Sequence, residues 1–220
     1  MDRSGALLKA GEDHLGTQER SISRRLFLKR AFDIIGAFLL LVVLAPPFIL
    51  AAIATKLDSP GPILFSQRRR RFGGRTFACW KFRTMSVLED GEGVITQAIR
   101  LDQRVTRIGR FLRRTSIDEL PQLFNVLKGD MSLVGPRPHA LAHDAHFETL
   151  VEQYSNRYLF RPGITGWAQV NGFRGETATV DALERRLELD LFYVNNWSIG
   201  LDIRIILKTL TTLVTDRNAV

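Results

Sequence analysis

The chain has 220 residues, of which 45% are hydrophobic, and a formal net charge of +8. This length allows one packed domain with a short appendage, and the single cysteine, Cys79, excludes an intramolecular disulfide and a cysteine-rich metal site. The basic charge predicts an anionic partner: nucleic acid, acidic lipid headgroups or a phosphorylated small molecule. Composition does not choose among the three.

A long apolar stretch follows a polar N-terminal segment. Residues 1–22 are polar and show no sustained period, which predicts a poorly ordered leader. No charged residue lies between Asp33 and Lys56, and about 20 apolar residues are enough to span a bilayer. We therefore assign residues 23–58 to the membrane and residues 59–220 to a domain at its cytoplasmic surface.

Two prolines and the flanking charges indicate how the apolar stretch lies in the bilayer. Pro46 and Pro47 lack an N–H and clash with the preceding turn, so we expect the helix to break there. Both flanks are basic, and positive flanks lie in the cytoplasm. A re-entrant helix hairpin places both ends on one side; an ordinary kinked span is the alternative. The basic residues are Arg24, Arg25, Lys29 and Arg30 before the stretch, and Lys56 and Arg68 to Arg71 after it.

The remaining pattern predicts an α+β fold that is mostly helical. Residues 63–67 read as a short strand and Gly73-Gly74 as the turn of a small β-hairpin, and residues 86–100 as a loop. Helical periods occur in residues 104–114, 120–127, 142–158, 181–196 and 202–214, and Gly129 is placed to end the second of these. Arginines beside aliphatic residues suit interfacial amphipathic helices. The arginine block 68–71 is predicted to contact anionic lipid.

Adjacent carboxylates, Asp118 and Glu119, precede the helical pattern that begins at Leu120. Pro121 belongs in the first helical turn, so Asp118 is expected near the N-cap. In a structural interpretation Asp118 caps the helix and Ser116 forms a capping box with Glu119. In a functional interpretation the helix N-terminus keeps Asp118 ionised and attracts phosphate, and the carboxylate attacks phosphorus with help from Mg²⁺ and nearby cations. The motif alone leaves both open.

Several basic residues in distinctive local sequences are candidates for binding phosphate. Prolines flank Arg137, and Arg161 precedes a Pro-Gly turn, so their backbones are restrained. Arginine suits bidentate phosphate recognition, and solvated surface arginines are the alternative. His139 and His143 have a spacing that can bind metal, but no third ligand is evident and surface histidines are favoured. The candidates are Lys81, Arg83, Arg113, Arg137 and Arg161.

Several long motifs, in this order, resemble the monotopic phosphoglycosyl transferases, also called bacterial sugar transferases. The resemblance covers residues 29–215 and is strongest to small members that have the catalytic domain alone and initiate exopolysaccharide units. Many relatives carry a glycine where Arg71 stands, which leaves the turn after Gln67 open. The motifs are residues 29–33, 61–67, 81–85, 115–122, 125–138 and 161–172.

The resemblance implies a reaction and a location. A UDP-sugar and undecaprenyl phosphate would give undecaprenyl-diphospho-sugar and UMP at the cytoplasmic face of the bacterial inner membrane, with glucose or galactose as the sugar. Asp118 would be the nucleophile of a covalent phosphosugar intermediate, and Glu119 its neighbour, both close to Mg²⁺. Lys81, Arg113 and Arg161 match family positions around phosphate. The family also has a re-entrant helix broken at a proline.

Rival functions belong to other classes. A membrane-surface scaffold of a polysaccharide assembly complex would perform no chemistry. A nucleic-acid binder would need basic residues interleaved with exposed aromatic residues, whereas here the basic block adjoins an apolar run of bilayer length. The expected partners are therefore a UDP-sugar, undecaprenyl phosphate and anionic lipids, without nucleic acid. A homodimer is left open.

Overall fold

A computed structural model describes residues 3–86, 102–175 and 179–215, with side chains over residues 23–86, 102–175 and 179–212. This part of the chain is mostly helical with two small sheets, which confirms an α+β fold. The loop predicted over residues 86–100 lies, except for Ser86, outside the described residues. The helices are α1 Arg3–Val43, α2 Ala45–Asp58, α3 Arg107–Thr115, α4 Gln122–Lys128, α5 Leu141–Leu150, α6 Trp167–Val170, α7 Val180–Asn196 and α8 Ile199–Thr215. The strands are β1 Leu64–Arg70, β2 Thr76–Phe82, β3 Ser132–Val134 and β4 Gly163–Thr165.

The apolar stretch forms two helices with a sharp bend between them. α1 and α2 meet at an angle of 65° across Leu44, and Pro46 and Pro47 lie in the first turn of α2. There a missing N–H costs least, so the predicted break is confirmed. Within the described part, no single helix has the length and apolar character to cross a bilayer, whereas the bent pair has them together. α1 also includes residues 3–22, and the leader boundary at residue 22 stays a prediction.

The predicted β-hairpin is confirmed and is longer than expected. β1 and β2 pair antiparallel from Leu64 opposite Phe82 to Arg70 opposite Thr76. The connection is a 3₁₀ turn, Phe72–Gly74, in which Gly73 and Gly74 have φ angles of 69° and 72°. These left-handed values favour glycine because it has no Cβ.

Most of the arginine block 68–71 contacts the protein itself. Arg70 pairs with Glu148 at 3.0 Å, Arg71 pairs with Asp130 at 3.2 Å, and Arg69 donates to the carbonyl of Pro138. Arg68 is exposed and donates to Thr76 on the neighbouring strand. All four guanidinium groups therefore have acceptors within the protein, which the prediction of a lipid-contacting block did not anticipate.

A buried ion cluster joins α1 to the centre of the domain. Lys29 contacts Asp33 at 3.2 Å, Asp202 of α8 at 2.8 Å and the carbonyl of Val134 in β3 at 3.1 Å. All three charged side chains are almost completely buried. Charges are buried stably only when paired and hydrogen-bonded, so these contacts fix α1 to β3 and α8. The surrounding core includes Ala37, Val126, Met131, Leu133 and Ile205.

Candidate active site

The carboxylate pair lies in a 3₁₀ turn between two helices. α3 ends at Thr115, and Ser116 then adopts the left-handed conformation with φ 58°, which reverses the chain into the turn Ile117–Glu119. α4 begins only at Gln122, after Pro121. Both carboxylates therefore precede the helix, and both are buried.

The capping interpretation of this motif is wrong. No N–H of the 3₁₀ turn or of α4 donates a hydrogen bond to the side chain of its capping residue, so Asp118 caps no helix and Ser116 forms no capping box with Glu119. The hydroxyl of Ser116 instead accepts a hydrogen bond from Arg174. A non-glycine residue rarely adopts a positive φ, so the sequence pattern did not predict this turn. The predicted end of α4 at Gly129 is confirmed, with φ 94°.

Both carboxylate oxygens of Glu119 accept hydrogen bonds from cationic side chains. Arg137 donates to both of its oxygens, at 3.1 and 2.6 Å, and Lys81 donates to Oε1 at 2.8 Å. Burial would raise the pKa of Glu119, but the charges and hydrogen bonds of Arg137 and Lys81 outweigh it and hold the pKa well below its usual range. Glu119 is therefore a permanent anion that orients the two cations.

Asp118 has a different environment although it is the adjacent residue. Its Oδ2 lies 4.0 Å from Lys81 Nζ, and its carboxylate accepts no hydrogen bond from the described residues. Burial raises its pKa to about 6, with Glu119 adding to the rise and Lys81, Arg113 and Arg137 opposing it. The group is therefore mostly ionised at neutral pH. Cations, rather than the helix N-terminus expected from the sequence, keep it charged.

The donor set suits a metal that takes one protein carboxylate. The described residues contain no cluster of three or more His, Cys, Asp or Glu side chains that could hold a metal. Mg²⁺ commonly binds one or two carboxylates and completes its shell with water and substrate phosphates. The oxygens of Asp118 accept no hydrogen bond from the residues that the structure describes, so Asp118 fits that role. Glu119 is less suited than Asp118 to bind the metal, because its oxygens already accept hydrogen bonds from Arg137 and Lys81.

The structure brings together three of the five predicted phosphate-binding residues. Lys81 and Arg137 contact Glu119 directly. Arg113 interacts electrostatically with Asp118, and its Nε donates to the hydroxyl of Thr84 at 3.0 Å. The three cations come from β2, from the segment after β3 and from α3, so only tertiary folding collects them around the carboxylates.

Among the described residues, neither Arg83 nor Arg161 contacts the carboxylate pair. Arg83 is buried, and its guanidinium donates to the carbonyls of Pro60, Ser59 at 2.6 Å and Thr55 at 3.4 Å. These donors hold the C-terminal end of α2, so we do not retain Arg83 among the phosphate-binding residues. Arg161 contributes to the electrostatic environment of Arg30. No described contact joins it to the carboxylate pair.

His139 is not the surface histidine that the sequence favoured. Its side chain is 10% exposed, and its Nδ1 lies 2.8 Å from Arg157 Nη1. Burial and the charge of Arg157 hold its pKa well below the usual range, so the ring is neutral. It belongs to a buried polar cluster, and the described part of the chain provides no metal site around it.

Two residues that support the site were missed by the sequence analysis. Arg157 donates to the carbonyl of Arg137 at 2.6 Å and to Asp190 at 2.8 Å, which fixes the backbone that carries the Arg137 guanidinium. Asn125 donates to the carbonyl of Ala78 at 2.7 Å and accepts from the N–H of Trp80 at 3.0 Å, which fixes α4 against β2. Nothing in their local sequence patterns distinguishes them.

The comparisons with known proteins agree with the motifs. A family model described as bacterial sugar transferase matches residues 24–216, which include the bent helix pair and the whole carboxylate site. The chain belongs to the bacterial sugar transferase family. The match extends over most of the chain, so membership does not depend on the Asp118–Glu119 motif alone.

Named relatives of the family are similar over nearly all of this match. The chain is 52% identical to the UDP-glucose:undecaprenyl-phosphate glucose-1-phosphate transferase of Escherichia coli (strain K12), over 83% of this chain and 39% of the relative. It is 53% identical to a Caulobacter vibrioides protein with the same description, over 87% and 71%. It is 48% identical to the exopolysaccharide production protein PSS of Rhizobium leguminosarum bv. phaseoli, over 86% and 96%. The chain thus spans about two fifths of the E. coli relative and nearly all of the Rhizobium one.

Proposed function

We propose that this protein transfers a sugar 1-phosphate from a UDP-sugar to undecaprenyl phosphate through a covalent intermediate on Asp118. One observation carries the proposal: Asp118 is a buried, mostly ionised carboxylate whose oxygens receive no hydrogen bond from the described residues, beside three cations. Such a group is free to act as a nucleophile. The names of the E. coli and Caulobacter relatives support the substrate classes.

The proposed reaction has two displacements at one phosphorus. A carboxylate oxygen of Asp118 attacks the β-phosphorus of the UDP-sugar, and the bond to the bridging oxygen breaks, releasing UMP. A phosphate oxygen of undecaprenyl phosphate then attacks the same phosphorus and displaces Asp118. The products are undecaprenyl-diphospho-sugar and a regenerated carboxylate. A covalent intermediate divides one difficult step into two easier ones.

The cations reduce the electrostatic repulsion between the anionic nucleophile and the anionic diphosphate. Lys81 lies 4.0 Å from Asp118 and Arg113 interacts with it electrostatically, so both are suited to bind the phosphate oxygens as negative charge moves. Arg137 holds Glu119, so that the neighbouring charge is neutralised. Mg²⁺, bound through Asp118 and substrate phosphates, would supply further Lewis-acid stabilisation. The role of Arg161 near phosphate stays a prediction from the family resemblance.

The membrane arrangement is part of the proposal. We propose that the bent pair α1–α2 is a re-entrant hairpin in the bacterial inner membrane, with both basic flanks at the cytoplasmic face. The 65° bend and the exposed apolar side chains on both helices support it. The lipid substrate would then meet the site at the membrane surface, as the first membrane step of exopolysaccharide synthesis. The exposed apolar side chains include Phe38, Leu39, Ile49, Leu50 and Ile53.

The decisive experiment detects the intermediate. Purified protein is incubated with Mg²⁺ and UDP-glucose or UDP-galactose, labelled either at the β-phosphorus or in the uridine, without lipid acceptor. We expect the β-label to stay on the chain and the uridine label to appear as UMP. Asp118→Asn should do neither. Asp181→Asn, a change of the same type at an exposed position of α7, serves as the matched control and should behave as the wild type.

Other outcomes have clear meanings. Product formation without any label on the chain would reject the covalent step and favour direct attack by the lipid phosphate. Absence of UMP release with every UDP-sugar, together with normal polymer production by Asp118→Asn in cells, would favour the scaffold function instead. Loss of labelling on addition of a chelator and its return with Mg²⁺ would support the metal.

A further inference from the structure

Arg113 differs from the other cations of the site because it has no carboxylate of its own. Lys81 and Arg137 both form salt bridges with Glu119. Arg113 forms no salt bridge with any described residue; its Nε donates to Thr84 Oγ1 at 3.0 Å and its Nη2 lies 3.8 Å from the sulfur of Met85. The guanidinium therefore keeps donors for a ligand, but few contacts hold it in place.

Thr84 is the point at which α3 is attached to the end of the hairpin. Its carbonyl accepts a hydrogen bond from the N–H of Thr106 at 3.0 Å, and Met85 forms an isolated antiparallel bridge with Val105. Gly109 of α3 packs directly on the same carbonyl: a Cβ there would lie 2.2 Å from the oxygen of Thr84. The backbone of Thr84 thus sets the position of the helix, and its hydroxyl contacts the arginine that the helix carries.

The chain order gives this contact a direct connection to the nucleophile. Arg113 lies in the last turn of α3, and the left-handed Ser116 separates it from the turn that contains Asp118. Thr84 comes shortly after Lys81, whose Nζ lies 4.0 Å from Asp118 Oδ2. Thr84 is buried, with 7% of its surface exposed, so water competes little for its hydroxyl.

We infer that Thr84 is a positioning residue that orients the Arg113 guanidinium toward the phosphate bound at Asp118, an inference that rests on the proposed transfer reaction. The hydroxyl of Thr84 accepts a hydrogen bond from Arg113 Nε. This contact favours one rotamer of the long arginine side chain and directs its terminal nitrogens to the phosphate. Preorganised donors of this kind act on the reacting phosphate without reorganising during the reaction. Thr84 itself touches no reacting atom.

The test compares isosteric and conservative variants in a transfer assay with UDP-glucose and undecaprenyl phosphate. Thr84→Val removes the acceptor with little change in shape and should lower kcat about tenfold, the size expected for one hydrogen bond to a charged group. Thr84→Ser keeps the hydroxyl and should stay within about twofold of the wild type. In an Arg113→Gln background, Thr84→Val should have no further effect, because the two residues act as a unit.

A matched control separates positioning from general destabilisation. Thr106 caps the same helix, since its hydroxyl accepts from the N–H of Gly109 at 3.0 Å. Thr106→Ala should lower the Tm but leave kcat unchanged, whereas Thr84→Val should lower kcat with a smaller change in Tm. If Thr84→Val has wild-type kcat, or reduces activity equally with and without Arg113, the inference is wrong.

Failure of the proposed function would be recognised separately. A wild-type protein that transfers no sugar phosphate would refute the transfer reaction. The Tm values of the wild type, Thr84→Val, Arg113→Gln and the double variant would still test the contact between Thr84 and Arg113. Non-additive Tm changes for Thr84→Val and Arg113→Gln would support the coupling of the two side chains. Additive changes would overturn it.

Discussion

Arg137 donates hydrogen bonds of 3.1 and 2.6 Å to the two oxygens of Glu119, and Asp118 beside it receives none from the described residues. Two buried carboxylates in adjacent positions would ordinarily oppose each other's ionisation. Here Arg137 and Lys81 both form salt bridges with Glu119. Asp118 stays mostly ionised and open to a ligand. The pairing of Arg137 and Lys81 with Glu119 therefore gives Glu119 an orienting role and leaves the reacting role to Asp118.

Replacing Arg137 should therefore lower both the catalytic rate and the stability of the fold. Arg137→Gln leaves the buried Glu119 with one cation, and breaking a buried charge pair costs about 3 kcal/mol. We expect kcat/KM to fall about 100-fold in the transfer assay. Arg137→Lys should recover part of the loss, because lysine keeps the charge but not the two-pronged geometry. Arg185→Gln, at an exposed position of α7, is the control. Equal activity of Arg137→Gln and the control would contradict the role given to the pair.

The left-handed Ser116 predicts an unusual order of tolerated substitutions. Ser116→Gly should fold with a Tm close to that of the wild type, because glycine adopts φ 58° without strain. Ser116→Val should lose about 1–2 kcal/mol, since β-branched residues are strained at positive φ. Denaturant unfolding in detergent measures both. A valine variant as stable as the glycine variant would mean that the turn before Asp118 has another conformation.

Arg83 should matter for stability and not for phosphate binding. Arg83→Met removes the donors to the carbonyls of Ser59, Pro60 and Thr55 at the end of α2. Leaving partly buried acceptors unpaired costs about 1 kcal/mol or more, so we expect a clear fall in Tm with an unchanged KM for the UDP-sugar. The exposed Arg68→Met should change neither. An unaltered Tm combined with a raised KM would restore the phosphate-binding role predicted from the sequence.

The neutral His139 predicts a loss of stability in weakly acidic solution. Because burial and Arg157 hold its pKa well below that of the unfolded chain, the unfolded state binds a proton first as the pH falls. Its contribution to stability is complete above the unfolded pKa of about 6.5 and is lost progressively below it, by up to about 1.4 kcal/mol per pH unit. Unfolding measured at pH 7.5 and 5.5 should therefore show a larger difference for the wild type than for His139→Gln. The same pH dependence in both proteins would show that the ring is already charged in the fold.

Local patterns predicted the elements well where the determinant is local. The apolar stretch, its break at Pro46 and Pro47, the β-hairpin and the end of α4 at Gly129 depend on residues close together in the chain. Periodicity and the special backbones of proline and glycine report such features directly. The capping box failed because its motif also fits a turn built on a left-handed serine.

The sequence by itself determined the family, the order of the elements and the identity of the carboxylate pair, because motifs and periodicity are written along the chain. Only the tertiary structure decided which cation serves which carboxylate: Arg137 and Lys81 bind Glu119, Arg113 interacts electrostatically with Asp118, and Arg83 donates to carbonyls at the end of α2. Lys81 and Glu119 are 38 positions apart. A long cationic side chain can reach many acceptors, and the packing of distant elements selects among them, so one-dimensional patterns cannot assign these partners.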